Sequence, residues 1–404
     1  MNSTCPYCGV GCGVCVTPQG AHQATVIGDP HHPANAGRLC VKGAALGQTL
    51  TPQGRLLNAE VNGQRVSLDA ALDAAAAGLR AVIDQYGPQA VAFYGSGQLL
   101  TEDYYVANKL MKGYIGAANI DTNSRLCMAS AVVGYKRALG ADAVPCCYED
   151  LEQADLVLLV GSNAAWAHPV VWQRLMQAKL QRPAMCIVVI DPRRTASCDQ
   201  ADLHLPLRPG SDTALFSGLL HWLAQQDGID ASMLPHLNGV DETLTAAAQW
   251  GVARVAEACD LTVQQVAHFF QLFSQHDRVL TLWCMGINQS ATGSDNNQAI
   301  LNLHLLTGKI GRVGCGPFSL TGQPNAMGGR EVGGLANQLV AHMSFTAAEC
   351  DRVQRFWRSP TIAREPGLTA LDLFRAIAAG EVKAVWIMGT NPAVFRRTMA
   401  GLRK

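Results

Sequence analysis

Charge is scarce in this chain. Charged side chains make up 15% of the 404 residues, below the roughly 25% of an ordinary soluble domain. The 31 basic residues are matched by 31 acidic ones, for a net charge of +0. That balance gives no electrostatic reason to expect a nucleic-acid partner. No run of about 18 apolar residues occurs, so no membrane span is predicted. The N-terminal stretch MNSTCPYCGVGCGVC has no basic region leading into an apolar one and no twin arginine. It does not read as an export signal, and the expected location is cytoplasmic. The phosphate-binding patterns GxxxxGKS/T and GxGxxG are both missing, which excludes a P-loop and an ordinary dinucleotide fingerprint. Disorder is excluded by an apolar content of 49%.

What is present begins with buried strands. Short apolar runs ending in Gly, Asn or Asp recur at 90–98, 155–163, 186–195, 278–289 and 383–392. Helical spacing fills the intervals at 67–86, 101–114, 126–139, 168–181, 212–226, 262–276, 296–308 and 369–379. Buried apolar strands alternating with helices predict an α/β fold with doubly wound, mainly parallel sheets. Ligands bind such sheets at the carboxyl ends of the strands. Here those ends carry GSGQ, GSN, DPRRT, MGINQ and MGTNP. Any one of them is explained by the needs of a turn. Five with similar wording point to a large, polar, nucleotide-like ligand.

The chain has 14 cysteines, five of them in the first 40 residues: Cys5, Cys8, Cys12, Cys15 and Cys40. In a reducing compartment they read as metal ligands, reactive thiols or small core residues rather than disulfides. Cys5, Cys8, Cys12 and Cys40 have the spacing C-x2-C-x3-C-x27-C. Three close thiols in a Gly-rich loop and a fourth from afar suit a 4Fe-4S cluster. Cys12 and Cys15 make a second C-x2-C pair, so a four-cysteine zinc site stays open. Lys42 places a cation beside this group, or is an ordinary surface lysine. Cys146, Cys147, Cys186, Cys198, Cys259, Cys284, Cys315 and Cys350 read as structural.

Two further residues stand out. Asp121, Thr122, Asn123 and Ser124 are capping residues and Gly140 suits a helix end, which predicts Cys127 in a first helical turn. There the helix dipole favours a thiolate, as a metal ligand or nucleophile; a small buried residue is the equal alternative. Residues 314–343 read as a long Gly-rich loop, and long loops tend to be functional. Within it Arg330 lies among Gly328, Gly329, Gly333 and Gly334. Its guanidinium suits a planar oxyanion, or pairs with a carboxylate such as Glu331. Gln323, Asn325, Asn337 and Gln338 either bind a polar ligand or shape the loop.

These residues resemble a known family. The cysteine spacing together with GDPHHPANAGRLCVKG (28–43) is similar to the bis-molybdopterin guanine dinucleotide oxidoreductases. NSRLCMASAVVGYKRALGADAVPCCYEDL (123–151) and GPFSLTGQPNAMGGREVGGLANQLVAHM (316–343) resemble the catalytic subunits of bacterial assimilatory nitrate reductases. The resemblance runs from Cys5 to about Val394. It implies that Cys5, Cys8, Cys12 and Cys40 hold a 4Fe-4S cluster, with Lys42 between cluster and pterin on the electron path. It implies that Cys127 ligates molybdenum. Met128 stands where formate dehydrogenases usually carry histidine, which favours nitrate over formate. Asn163, His168, Asp191, Arg193, Arg208, Gly210, Asp212, Gly286, Asn288 and Gln289 are implied contacts of the dinucleotide cofactor, and Arg330 helps place nitrate.

The implied activity is reduction of nitrate to nitrite in nitrate assimilation. Oxygen-atom transfer would occur at a molybdenum bis-pterin centre, with electrons delivered through the cluster. The donor would be a ferredoxin, a flavodoxin or an NADH-linked reductase subunit. The alternatives are a formate dehydrogenase of the same family and an inactive iron–sulfur fragment. The expected domains are a cluster domain at 1–58, a discontinuous and incomplete α/β domain at 59–140 plus 320–404, and an α/β dinucleotide-cofactor domain at 141–319. The basic tail FRRTMAGLRK (395–404) fits the family pattern poorly. The expectation is a truncated chain without the C-terminal domain that closes over the cofactor.

Overall fold

A computed structural model describes residues 1–394; the basic tail 395–404 lies outside the described residues. Thirteen strands form among the described residues. They are β1 (Asn2–Thr4), β2 (Gly13–Gly20), β3 (Gln23–Gly28), β4 (Ala59–Val61), β5 (Gln64–Val66), β6 (Val91–Gly95), β7 (Ile120–Thr122), β8 (Leu156–Val160), β9 (Cys186–Ile190), β10 (Leu203–Leu205), β11 (Val279–Trp283), β12 (Gly316–Ser319) and β13 (Ala384–Ile387). The chain divides into two compact units. The first holds residues 1–17, 26–45 and 127–322; the second holds, of the described residues, 18–25, 46–126 and 323–394.

The first unit is built on a five-stranded sheet in the order β10-β9-β8-β11-β12. Every pairing in it is parallel. β8 (LVLLV) is buried along its whole length and β9 (CIVVI) in all but its first residue, because helices cover both faces and leave no polar side to face water. Phe216, Phe269, Phe270, Phe273 and Trp283 fill the core around it. The strand order reverses between β8 and β11. That reversal creates a crevice at the carboxyl ends of the two strands, the place where doubly wound folds take their ligands. The backbones there approach so closely that a Cβ on Gly286 would lie 2.5 Å from the Gly161 Cα.

The second unit carries a smaller parallel sheet, β13-β6-β7. Ala92 and Tyr94 of β6 pack with the helix Ala370–Ala379. Val91 and Phe93 point into a second cluster with Met111 and Ile120. The long helix Leu68–Tyr86 starts as expected, with Ser67 Oγ accepting from the Ala70 amide.

The mixed α/β reading with parallel sheets holds, but two local expectations do not. The helix expected over 126–139 begins only at Ala129, and Met128 is its N-terminal flank. Asp121 and Thr122 belong to β7, and 123–126 form a 3-10 turn. Cys127 therefore precedes the helix instead of lying in its first turn, because the capping residues are taken up by the strand and the turn. Asp121 instead accepts from the Ala370 amide at the start of a helix far along the chain. The segment 314–343 is not a continuous loop either. It contains β12, whose residues are all buried, and the short helix Ala326–Glu331. Four buried residues beside β11 suffice for a strand despite the surrounding glycines, since the ladder comes from the neighbour.

Candidate functional site

In the first unit Cys5, Cys8, Cys12 and Cys40 line one enclosed cavity, with Tyr7, Val10, Leu39, Gly43, Pro169 and Val170 as its other walls. Cys15 is not among them; it pairs with Asn2 in the β1–β2 ladder. The loop bends so tightly that Gly11 takes φ +69°, and the Cys5 amide donates to the Cys12 carbonyl at 2.8 Å. Burial raises the Cys12 thiol to about 12, and charges on Cys8, Cys5 and Cys40 push the same way. Burial likewise raises Cys5 and Cys8, partly opposed by Lys42. Thiolates at Cys5, Cys8 and Cys12 are thus disfavoured by themselves and need a cationic group among them. Among the described residues no three His, Cys, Asp or Glu side chains close around a single ion. The four thiols nevertheless line one cavity, and four thiols are the ligand number of a 4Fe-4S cluster.

Side chains that the sequence did not flag hold this loop. Asn35 donates to the Gly13 carbonyl and to the Arg38 carbonyl, and accepts from the Gly13 amide. Tyr148 donates to the Val10 carbonyl at 2.9 Å. Arg174, almost fully buried, donates to the carbonyls of Pro33 and Ala34 and pairs with Glu152. Gly9 abuts the Thr321 carbonyl, 2.3 Å from where a Cβ would stand. Arg174 and Tyr148 give no local signal for this role, because the loop carbonyls they bind lie more than a hundred residues away.

The remaining candidates of the first unit gather at the strand ends. Asn163 follows β8 and accepts from Ser197 Oγ. His168 is fully buried. Its Nε2 donates to the Thr321 carbonyl at 2.8 Å, and burial lowers its pKa, with the Lys42 charge adding to that effect. The ring is neutral, and its Nδ1 is an acceptor with no partner. Asp191 follows β9 and accepts from the Arg193 amide. Arg208 and Gly210, both exposed, follow β10, and Gly210 has φ +85°. Burial raises the Asp212 carboxyl to about 6, with Asp191 adding to it. Gly286, Asn288 and exposed Gln289 follow β11. Asn297 Nδ2 donates to Asn288 Oδ1, while Asn288 Nδ2 finds no partner. Buried Ser162 Oγ and Ser319 Oγ are also unpartnered. Cys127 lies with its sulfur 3.3 Å from Met285 Sδ, and Met128 is buried in the core. A glycine-walled crevice edged by unsatisfied buried polar atoms fits a large polar ligand.

In the second unit Arg330 is buried in the helix Ala326–Glu331. The polar residues around it shape the segment: Gln323 donates to Asn123, Asn325 to the Leu99 carbonyl, and Asn337 accepts from Arg125.

Residues 1–51 match the molybdopterin oxidoreductase Fe4S4 domain, and residues 52–398 match the molybdopterin oxidoreductase domain. The chain belongs to the molybdopterin oxidoreductase family. These domains carry a molybdenum–pterin cofactor and a 4Fe-4S cluster, and the crevice and the thiol-lined cavity fit them. This molybdopterin oxidoreductase is 63% identical over 392 residues to a nitrate reductase of Klebsiella oxytoca, covering 97% of this chain and 45% of that protein. It is 49% identical to a nitrate reductase of Shewanella frigidimarina, covering 98% and 43%. It is 40% identical to the periplasmic nitrate reductase of Desulfovibrio desulfuricans, covering 100% and 56%. The chain thus spans about half the length of these relatives. Acetylene hydratase from Pelobacter acetylenicus shares the fold, with a TM-score of 0.68 at 21% identity over 76% of this chain and 43% of that one. Among the described residues no helix is long and apolar enough to cross a membrane.

Proposed function

We propose that the chain carries the nitrate-reducing centre of a molybdenum-dependent nitrate reductase, with electrons arriving through its 4Fe-4S cluster. The observation that carries this is the convergence of Cys5, Cys8, Cys12 and Cys40 on one cavity, in a chain 63% identical to a nitrate reductase. When bound, the molybdenum–pterin group supplies two-electron oxygen-atom transfer, and the cluster supplies electrons singly. The protein's own residues bind, orient and tune. The four thiolates hold the cluster, and the Lys42 ammonium offsets negative charge on the path towards the pterin. His168 Nδ1 accepts from a cofactor N–H, and Asn288 Nδ2 donates. Asn163, Asp191, Arg193, Arg208, Gly210, Asp212 and Gln289 line the same dinucleotide, and Gly161 and Gly286 let it approach the backbone. Cys127 ligates the metal with Met128 beside it, and the Arg330 guanidinium orients nitrate through charge-assisted hydrogen bonds.

The reaction belongs to nitrate assimilation in the cytoplasm, with a ferredoxin, a flavodoxin or an NADH-linked subunit as donor. The nitrate part is supported by nitrate reductases at 63% and 49% identity; the periplasmic nitrate reductase at 40% stands against the cytoplasmic part. The test is purification under anaerobic conditions, metal analysis, and assays with reduced viologen plus nitrate and with oxidised dye plus formate. Molybdenum, a brown chromophore and nitrite formation are expected. Formate oxidation without nitrite formation, or zinc in place of iron, would overturn the reading. Cell fractionation tests the compartment.

A further inference from the structure

The most unusual charge in the molecule is Lys112. It is fully buried, and it lies in the π-helical segment Leu110–Ile115 that continues the helix Thr101–Lys109. Burying an ammonium ion costs several kcal/mol unless its protons are satisfied. Here each of its three N–H groups has a main-chain carbonyl: Gly333 at 2.6 Å, Leu335 at 2.9 Å and Gln338 at 2.5 Å. One helical turn earlier, Asn108 Nδ2 donates to the Val332 carbonyl at 2.7 Å. The segment 332–338 forms no strand or helix, so its buried carbonyls depend on these side chains for donors.

That segment folds back on the helix that carries Arg330. Gln338 Nε2 and the Gly333 amide both donate to the Arg330 carbonyl. The Gly334 amide donates to the Gly329 carbonyl at 2.7 Å. Gly329 packs on the Tyr104 ring, 3.1 Å from where its Cβ would be, so the Ala326–Glu331 helix is held from both sides. The charge that acts on Lys112 is Asp121 of β7, itself paired with Arg125 at 3.0 Å. The Phe345 ring lies 5.9 Å from Nζ.

We infer that Lys112 is a positioning residue for Arg330: its ammonium closes the Gly333–Gln338 turn, and the turn fixes the helix that presents the guanidinium. The inference rests on the reading of Arg330 as the nitrate-orienting group. A neutral amine has only two N–H donors and a lone pair. It would leave one of the three carbonyls without a donor and facing that lone pair. The turn is therefore closed only while Lys112 is protonated. Burial, partly offset by the Asp121 charge, lowers its pKa to about 7, so the turn loosens as pH rises through and above neutrality.

Two measurements test this. In the purified wild-type protein, hydrogen exchange of residues 328–340, corrected for intrinsic rates, is expected to quicken between about pH 6 and about pH 9. Exchange of β8 is expected not to change. In the holoenzyme, K112M is expected to raise the KM for nitrate about tenfold with a much smaller change in kcat, and K112R to restore part of it. The double variant K112M/R330Q should be no worse than R330Q alone. Unchanged exchange at 328–340 across that pH range would overturn the inference even if K112M fails to fold. Fully additive effects of K112M and R330Q would also overturn it. If R330Q leaves KM unchanged, the nitrate role of Arg330 fails instead, and the exchange result still decides whether Lys112 closes the turn.

Discussion

Cys12 shows most clearly what the cluster loop requires. Its thiol is buried and raised to about 12, so only a strongly cationic group keeps it as a thiolate at neutral pH. The C12S variant is expected to lose the visible absorption and most of the iron while keeping the far-UV signal of the parallel sheets. Absorption spectra and iron analysis check this. His304 tests the opposite effect. It is fully buried, donates from Nδ1 to the Lys309 carbonyl and accepts at Nε2 from Thr281. Burial lowers its pKa from 6.5 to about 4. The folded form therefore keeps it neutral where the unfolded chain takes a proton. Its contribution is full above about pH 6.5 and is lost as pH falls towards 4, by about 3 kcal/mol. Denaturant unfolding at about pH 7 and about pH 4.5 should show the loss, and H304Q should flatten that pH dependence.

Among the elements, the reversal between β8 and β11 is the decisive one. Gly161 takes φ +52°, and Gly286 stands where any Cβ would strike its neighbour's backbone. G286A is expected to cost about 1–3 kcal/mol through overpacking and to lower the molybdenum content more than the iron content. Denaturation midpoints and metal ratios measure both. At this scale the long runs were legible. Apolar stretches bounded by Gly, Asn and Asp placed β6, β8, β9, β11 and β13, and helical spacing placed most of the helices between them. The edge strands β7, β10 and β12 were not legible. Three or four residues carry too little periodicity, and their pairing is dictated by a neighbour distant in sequence. The start of the Ala129–Leu139 helix was missed for a related reason. The capping residues before it serve a strand, a turn and, through Asp121, the helix Ala370–Ala379.

The molecule as a whole divides into two units, each assembled from segments far apart in sequence. In the first, the cluster loop is tied to the α/β sheet through Arg174, Tyr148 and the close contact of Gly9 with Thr321. Metal binding and the packing of this loop are therefore coupled. Removing iron with a chelator under reducing conditions is expected to make residues 5–12 and 30–40 quickly cleavable by protease, with the β8–β11 core remaining resistant. Limited proteolysis followed by mass spectrometry checks this. Cleavage spreading at equal rate through 156–320 would show that the loop and the sheet do not separate.

The chemistry on offer is legible in one dimension: the spacing of Cys5, Cys8, Cys12 and Cys40, the run of buried parallel strands, and the polar residues at their carboxyl ends. These are local patterns, and local patterns survive in one dimension. It takes the folded chain to bring Cys40 into one cavity with the three early cysteines while Cys15 joins a strand. Folding likewise turns Lys112, an ordinary lysine in sequence, into a buried ammonium ion satisfied by three carbonyls more than two hundred residues away. Scarce charge, at 15%, comes to mean that the few ions buried in the fold must each find specific partners. Those partners are set by which segments pack together, and burial, unlike spacing, is a property of the folded chain.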